Sequence, residues 1–406
     1  MSKPVQIACH ECDLLLDLEH MVEGNKALCP RCGYTLTAVH KKAVDKIVAY
    51  SSAGLIFLLL ASIFPFITFS AQGNDRTVTL FQSIAILVTE RFPELSILIF
   101  LFVIVFPAVL LLCILYVYIS IKNHAIYPGS KFLLKLIVFL QPWSMSEIFL
   151  ISILVSFIKV ASLADVSLNM SFAAYVLFVC STTIVLLNLD KHQAWKLFTY
   201  GYGQQPRIEP GSHVSCHVCT GVLPNSADYC KVCDSSVHHR KTASLQITWA
   251  LLFTSILLYV PANILPIMHT TFLGKETEST ILGGVILLWS HGSYPIAIVI
   301  FLASVLIPVG KILALIWLCL SVKNTNARTA VQKTRLYRMT EFIGRWSMVD
   351  VFVVAVLVAL IQMGNMMSIH PGLGALAFAG MVILSVFAAD SYDPRLMWDS
   401  MNERED

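Results

Sequence analysis

Eight stretches of this chain are apolar over the roughly twenty residues that a helix needs to cross about 30 Å of hydrocarbon, and this length constrains every other reading of it. They run near 47–69, 95–120, 145–164, 171–189, 245–268, 294–321, 347–364 and 372–390. In lipid each backbone N–H and C=O must be satisfied within its own segment, so these stretches are expected as helices. The composition agrees. Of the 406 residues, 57% are hydrophobic and 13% charged, more apolar surface than a water-soluble protein of this length hides. A net charge of +3 is too small to point to nucleic acid.

The basic residues matter by position. Lys41, Lys42, Lys46, Lys122, Lys131, Lys135, Lys191, Lys196, Arg207, Arg240, Lys241, Lys323, Arg328, Lys333, Arg335, Arg338 and Arg345 fall in one set of connecting segments. The opposite set holds only Arg76, Arg91 and Lys275. Positive residues stay on the cytoplasmic side, so both termini are expected there. The N-terminus is polar and carries cysteines, which does not read as a secretory signal.

The chain reads as one unit written twice, offset by 201 to 203 residues. Cys29 and Cys32 match Cys230 and Cys233; Pro65 matches Pro266; Pro107 matches Pro308. Trp143-Ser144-Met145 matches Trp346-Ser347-Met348, Glu147 matches Asp350, Phe149 matches Phe352, and Trp195 matches Trp398. Each unit has an even number of spans, so the copies enter the membrane the same way up, a parallel repeat. Between the first two spans of each copy, Thr79–Thr89 and Thr280–Ser290 are apolar but too short to cross. They are expected to lie along the outer face or to re-enter. The four tryptophans read as anchors at the membrane interfaces, and His192 as a neighbour of headgroups.

Eight of the eleven cysteines form C-x2-C pairs: Cys9 and Cys12 with Cys29 and Cys32, and Cys216 and Cys219 with Cys230 and Cys233. Two such knuckles bring four thiolates to the corners of a tetrahedron, which structural zinc prefers. Iron in the same cage and a redox dithiol are the competing chemistries. Four protein ligands leave no open position, so the two zinc ions are expected to be structural.

Lys311 sits near mid-bilayer in the sixth span. A lysine there costs about 2.5–3.5 kcal/mol and should face protein or water. Asp350, just inside the seventh span, is within reach of a snorkelling lysine. Ser304 shares the helix face of Lys311, and Ser385 in the last span is positioned to join them. A structural ion pair and a polar cavity for a headgroup or a proton are both open readings. Glu147 and Lys159 are the weaker candidates of the first copy, which has Leu110 in place of Lys311. No nucleotide-binding loop, hydrolase elbow or H-E-x-x-H motif occurs, so no enzyme activity is expected.

With "LYVPANILPI" from Leu258, "STILGGVILLWSHGSYP", "GRWSMVDVF", "DPRLMWD" and the duplicated cysteine modules, the chain resembles the paraquat-inducible protein A family of Gram-negative bacteria over nearly all its length. The resemblance implies an all-α polytopic protein of the bacterial inner membrane. Its eight transmembrane helices would form two tetraspanin-like four-helix bundles, with two small cytoplasmic zinc ribbons. The expected divisions are ribbon 1 at 1–40, bundle 1 at 41–200, ribbon 2 at 201–240, bundle 2 at 241–400 and a tail at 401–406. It further implies a periplasm-spanning partner with mammalian-cell-entry (MCE) domains (PqiB-like), membrane lipids as cargo, and a role in envelope integrity under stress. In a relative, a polar network of the second bundle is functional; its positions here are Ser304, Lys311, Asp350 and Ser385, where Ser385 replaces a threonine. Lipid trafficking is the expected function. A proton-coupled exporter of small molecules or drugs using Lys311 and Asp350 is the alternative, and an anchor or redox sensor is a third reading.

Overall fold

A computed structural model describes residues 5–18, 21–71, 74–89, 93–160, 165–198, 208–209, 211, 213–272, 275–290, 292, 294–323, 326–360 and 367–405. The chain opens with two antiparallel hairpins, β1 (Val5–Ala8) with β2 (Leu15–Leu18), and β3 (Lys26–Leu28) with β4 (Thr35–Ala38). Then come α1 (Ala43–Ile63), β5 (Ile67–Ala71), β6 (Asn74–Val78), α2 (Leu80–Thr89) and the long α3 (Pro93–Lys122). The first half closes with α4 (Ser130–Leu140), α5 (Ser146–Val160), β7 (Asp165–Leu168), α6 (Met170–Asn188) and α7 (Lys191–Phe198). Nearly the same order recurs. A hairpin of β8 (His213–Ser215) and β9 (Val222–Pro224) precedes α8 (Ser244–Ile264), β10 (Met268–Phe272), β11 (Lys275–Ser279), α9 (Ile281–Ser290) and α10, over 294–320. The chain ends with α11 (Ala327–Trp346), α12 (Val349–Leu360), β12 (Met367–Pro371), α13 (Leu373–Ser391) and α14 (Leu396–Glu405).

Among the described residues, seven helical segments are long and apolar enough to cross a membrane: Ala43–Ile63, Pro93–Lys122, Ser130–Phe157, Met170–Asn188, Ser244–Ile264, Ala297–Leu320 and Leu373–Ser391. They coincide with seven of the eight expected spans. The remaining one, 347–364, is described only as the twelve residues of α12, because 361–366 lie outside the described residues. The expected third span is likewise described to Val160 and is preceded by α4, a helix where Lys131 and Lys135 were expected in a connecting segment.

The chain is mostly helical but not all-α, which corrects the expectation. Besides the hairpins of the cysteine modules, each half carries a three-stranded antiparallel sheet, β6–β5–β7 in the first and β11–β10–β12 in the second. The ends of two expected spans, 67–69 and 268, belong to these sheets. The cause is Pro65 and Pro266, which force the preceding residue out of the helical region. Phe64 (φ −85, ψ 158) and Leu265 (φ −77, ψ 149) are accordingly extended. The Ile-Thr-Phe-Ser-Ala run that follows Phe66 then suits a strand.

Close approach of small residues holds the helices together, as expected where lipid supplies no drive between them. A Cβ on Gly54 of α1 would stand 3.0 Å from Leu111 Cδ1 on α3 and 3.6 Å from Ser181 Cβ on α6. In the second half, Ser255 Oγ of α8 donates to Met381 O of α13 at 3.1 Å. The halves meet along α5 and α12. Ser152 Oγ donates to Val349 O (3.0 Å), Ser156 Oγ to Val353 O (3.4 Å), and the Phe149 and Phe352 rings stand edge-on at 5.8 Å.

Candidate functional site: two thiol cages and a buried amine

Each cysteine module is built from two tight turns with one shared geometry. The residue after the second cysteine of every pair is left-handed: Asp13 (φ 57), Gly33 (φ 69), Thr220 (φ 60) and Asp234 (φ 57). In that conformation the backbone doubles back, so Asp13 N–H donates to Cys9 O and Gly33 N–H to Cys29 O, at 2.8 and 2.9 Å. The turns aim the sulfurs inward. Within each set of four, the sulfurs all lie inside 4.8 Å of one another and are buried. The Cys9–Cys32 and Cys12–Cys29 separations are 3.5 Å, and Cys216–Cys233 and Cys219–Cys230 are 3.4 Å. Four thiolates bound at about 2.3 Å to a tetrahedral ion stand about 3.8 Å apart. The separations above fall just short of that value and all the others stay within 4.8 Å, so each cage suits one such ion.

The cages tie the two halves together. Ala330 of α11 and Trp398 of α14 pack with the four cysteines of the first cage in one buried cluster. Arg31 lies 4.3 Å over the Trp398 ring, whose Nε1 donates to Thr334 Oγ1 at 3.3 Å. The same module is tied to its own half through Asp190, which accepts from Ala38 N at 2.8 Å and Thr37 Oγ1 at 3.0 Å. The second module reaches the first half through His192 and Thr220 (3.1 Å) and through Lys131 and Asp234 (3.1 Å). It reaches the second half where Arg395 Nη2 donates to His217 Nε2 at 3.4 Å. Burial pushes the His192 imidazole down to about 4. Two expectations are corrected here. Trp195 and Trp398 are 0% and 2% exposed, so they are packing residues rather than interface anchors, and His192 serves module docking, not headgroups.

Of the polar residues singled out from the sequence, Ser304, Lys311, Asp350 and Ser385 are all buried. Ser304 lies in a π-helical segment, Leu302–Leu306, that ends two residues before Pro308. Its counterpart, Phe100–Val105, precedes Pro107. Widened turns of this kind recur at functional sites. Lys311 is 4% exposed, and its Nζ has no hydrogen-bond partner among the described residues, so no hydrogen-bonded pair with Asp350 forms. The lysine lies instead against α11: a Cβ added to Gly344 would stand 2.6 Å from Nζ. Ser385 Oγ donates to Val382 O at 2.7 Å. In the first half, Glu147 Oε1 accepts from Thr183 Oγ1 at 3.3 Å, and the Lys159 side chain lies outside the described residues. Sequence reasoning missed Gly344, although it sits in the same "GRWSMVDVF" string as Asp350.

Apolar helices of spanning length, a duplicated element order and two buried four-thiol cages define a polytopic helical membrane protein with two modules that could each hold a metal ion. The family model described as "Paraquat-inducible protein A" matches residues 44–199 and 245–402, leaving out the cysteine modules. The chain belongs to that family. It is 41% identical over 407 residues, 98% of this chain and 97% of the relative, to "Intermembrane transport protein PqiA" of Escherichia coli (strain K12). It is 28% identical over 396 residues, 97% of this chain and 91% of the relative, to "Lipophilic envelope-spanning tunnel protein A" of the same organism. A "Probable intermembrane transport protein" of Haemophilus influenzae is 25% identical over 408 residues, 98% of this chain and 97% of that relative. No solved structure matches.

Proposed function

We propose that this chain is the inner-membrane component of an MCE-protein lipid trafficking system. It loads or unloads phospholipids between the inner membrane and a periplasmic tunnel built by a PqiB-like partner. The polar site is that of Ser304, Lys311, Asp350 and Ser385 in the second of two parallel four-helix bundles. In this reading eight helices span the membrane, the termini and both cages face the cytosol, and each cage holds a structural zinc ion. The meeting of the equivalent Phe149 and Phe352 at 5.8 Å suits a two-fold axis along the membrane normal.

One observation carries the reading: a lysine amine, 4% exposed, with no hydrogen-bond partner among the described residues, inside an apolar helix. A buried polar group left unsatisfied costs about 1–3 kcal/mol, and more when charged. An anionic headgroup supplies the acceptor that the described residues do not offer. The relatives' names speak of intermembrane transport and of an envelope-spanning tunnel, which supports the same assignment. The same amine would also serve a proton-coupled exporter, which would move substrate in proteoliposomes without any partner.

The test is Lys311→Met in cells deleted for redundant envelope pathways. Because the amine has no hydrogen bond to lose among the described residues, the variant should reach the membrane at normal level with an unchanged or higher melting temperature. Detergent resistance should nevertheless fall to that of the gene deletion, and adducts with a photoactivatable phospholipid should decrease. Wild-type resistance in Lys311→Met cells would overturn the proposal.

A further inference from the structure

The two cages are not held alike. Arg338 of α11, a residue of the second half, reaches across to the first cage. Its Nη2 donates to Cys32 O at 3.2 Å and to the ligand sulfur Cys32 Sγ at 3.4 Å. Its Nε stands 3.8 Å from Glu11 Oε2, and the guanidinium lies 5.2 Å over the Tyr34 ring. At the second cage, the cation that the opposite half brings in among the described residues is Lys131. It meets the exposed carboxylate of Asp234, not a sulfur.

We infer that Arg338 is an outer partner of the metal cage in the first module, and that the cage, through Arg338, fixes α11 as a wall of the Lys311 niche. Four thiolates on a divalent ion carry a net charge of −2, and a donor on one sulfur spreads that charge while fixing the ligand's position. Both Arg338 bonds leave from the one nitrogen Nη2, whose two N–H groups are fixed in the guanidinium plane and so hold the sulfur and the backbone carbonyl of one residue together. Within the next two turns of the same helix, Gly344 abuts Lys311 Nζ. One rigid helix therefore touches the cage at one point and the buried amine at another. Where ligands must gather round a metal to fold a small module, removing the metal unfolds it. Loss of the ion would free Arg338 and loosen the niche from the ribbon side.

This rests on the metal reading proposed above, and the experiment separates the two. Full-length protein in nanodiscs is assayed for total metal, then for its release to an excess of colorimetric chelator. Two equivalents per chain are expected. Arg338→Gln should release one of them about 10-fold faster or more and leave the other unchanged. Arg338→Lys should fall between, since it keeps the charge and loses the two N–H donors fixed in one plane. Hydrogen exchange over 336–346 should quicken in Arg338→Gln and in metal-stripped wild type, while 130–140 stays unchanged in Arg338→Gln. Wild-type protein free of metal would overturn the metal reading and this inference with it. Two equivalents released at wild-type rates from Arg338→Gln, or faster exchange in α11 with no change in release, would overturn the inference alone.

Discussion

Asp393 and Arg395 are 1% and 2% exposed and bonded to each other through three contacts, Nε to Oδ1 at 2.9 Å, Nη2 to Oδ2 at 2.8 Å and the Arg395 backbone N–H to Oδ1 at 3.1 Å. Burial pushes the Asp393 carboxyl up, but the hydrogen bonds and charge of Arg395 outweigh it and hold the group at about 2, below its usual 3.8. A depressed carboxylate contributes stability above its unfolded value, and that stability is lost as pH falls from about 4 towards 2. The shift corresponds to about 2 kcal/mol. Asp393→Asn should therefore be less stable at pH 7, with the Arg395 charge left buried without its carboxylate. The gap to wild type should narrow by about 2 kcal/mol as the pH drops to 2. Unfolding both proteins at each pH cancels proton uptake by the cages, and a gap that stays constant would contradict the pairing. The sequence showed "DPRLMWD" as a string but not that its charges turn inward, because burial at this position depends on contacts with Ser244 and Lys241, some 150 residues away.

The helices show where chain order suffices and where packing decides. Gly374 sits at the start of α13, where an added Cβ would meet Leu265 O at 2.6 Å and Pro266 O at 2.8 Å, both backbone atoms that cannot move aside. Gly380, further along, would meet only the flexible Leu258 Cδ1 at 3.2 Å. Replacing glycine by alanine inside a helix is worth up to about 1 kcal/mol by propensity. Overpacking costs about 1–3 kcal/mol. Gly374→Ala should thus lower the melting temperature and Gly380→Ala should leave it level or raise it, measured by loss of the monodisperse peak on heating. Equal effects would mean that the contact with the Pro266 turn does not matter. Seven spans and both cages were legible because hydrocarbon thickness and thiol spacing act within one segment. The three-stranded sheets were not, since a strand after Pro65 pairs with residues a hundred positions on, and Ile-Thr-Phe-Ser reads equally well as the end of a span. Helix α11 was readable in principle: Asn326 and Thr329 form a reciprocal cap, a local signal hidden among basic residues read as a loop. For the candidate site, the burial of Ser304, Lys311, Asp350 and Ser385 followed from their lying in apolar spans, whereas the choice of Gly344 as the lysine's neighbour followed only from the packing of α10 on α11.

Duplication raises the question of whether the halves are two proteins in one chain or a single object. The contacts favour one object. The α5–α12 seam joins residues about 200 apart through two serine hydrogen bonds and a ring pair. Around the cages, Arg240 of the second half binds Asp13 of the first module at 2.7 Å and also Asp399 at 2.6 Å. These ties are partly or fully buried, so they are screened little by salt. If they suffice, the covalent link between the halves is dispensable. Residues 1–206 and 207–406, made as separate chains in one cell, should assemble and purify one-to-one through a tag on either. Adding Phe352→Ala should weaken the complex, since truncating a buried phenylalanine costs about 3–5 kcal/mol, and Arg240→Ala should weaken it from the other end. Losses that add in the double variant would show two independent clasps, as expected for sites this far apart. Halves that purify separately without any substitution would show that the link itself, rather than the seam and the cages, holds the second half in place.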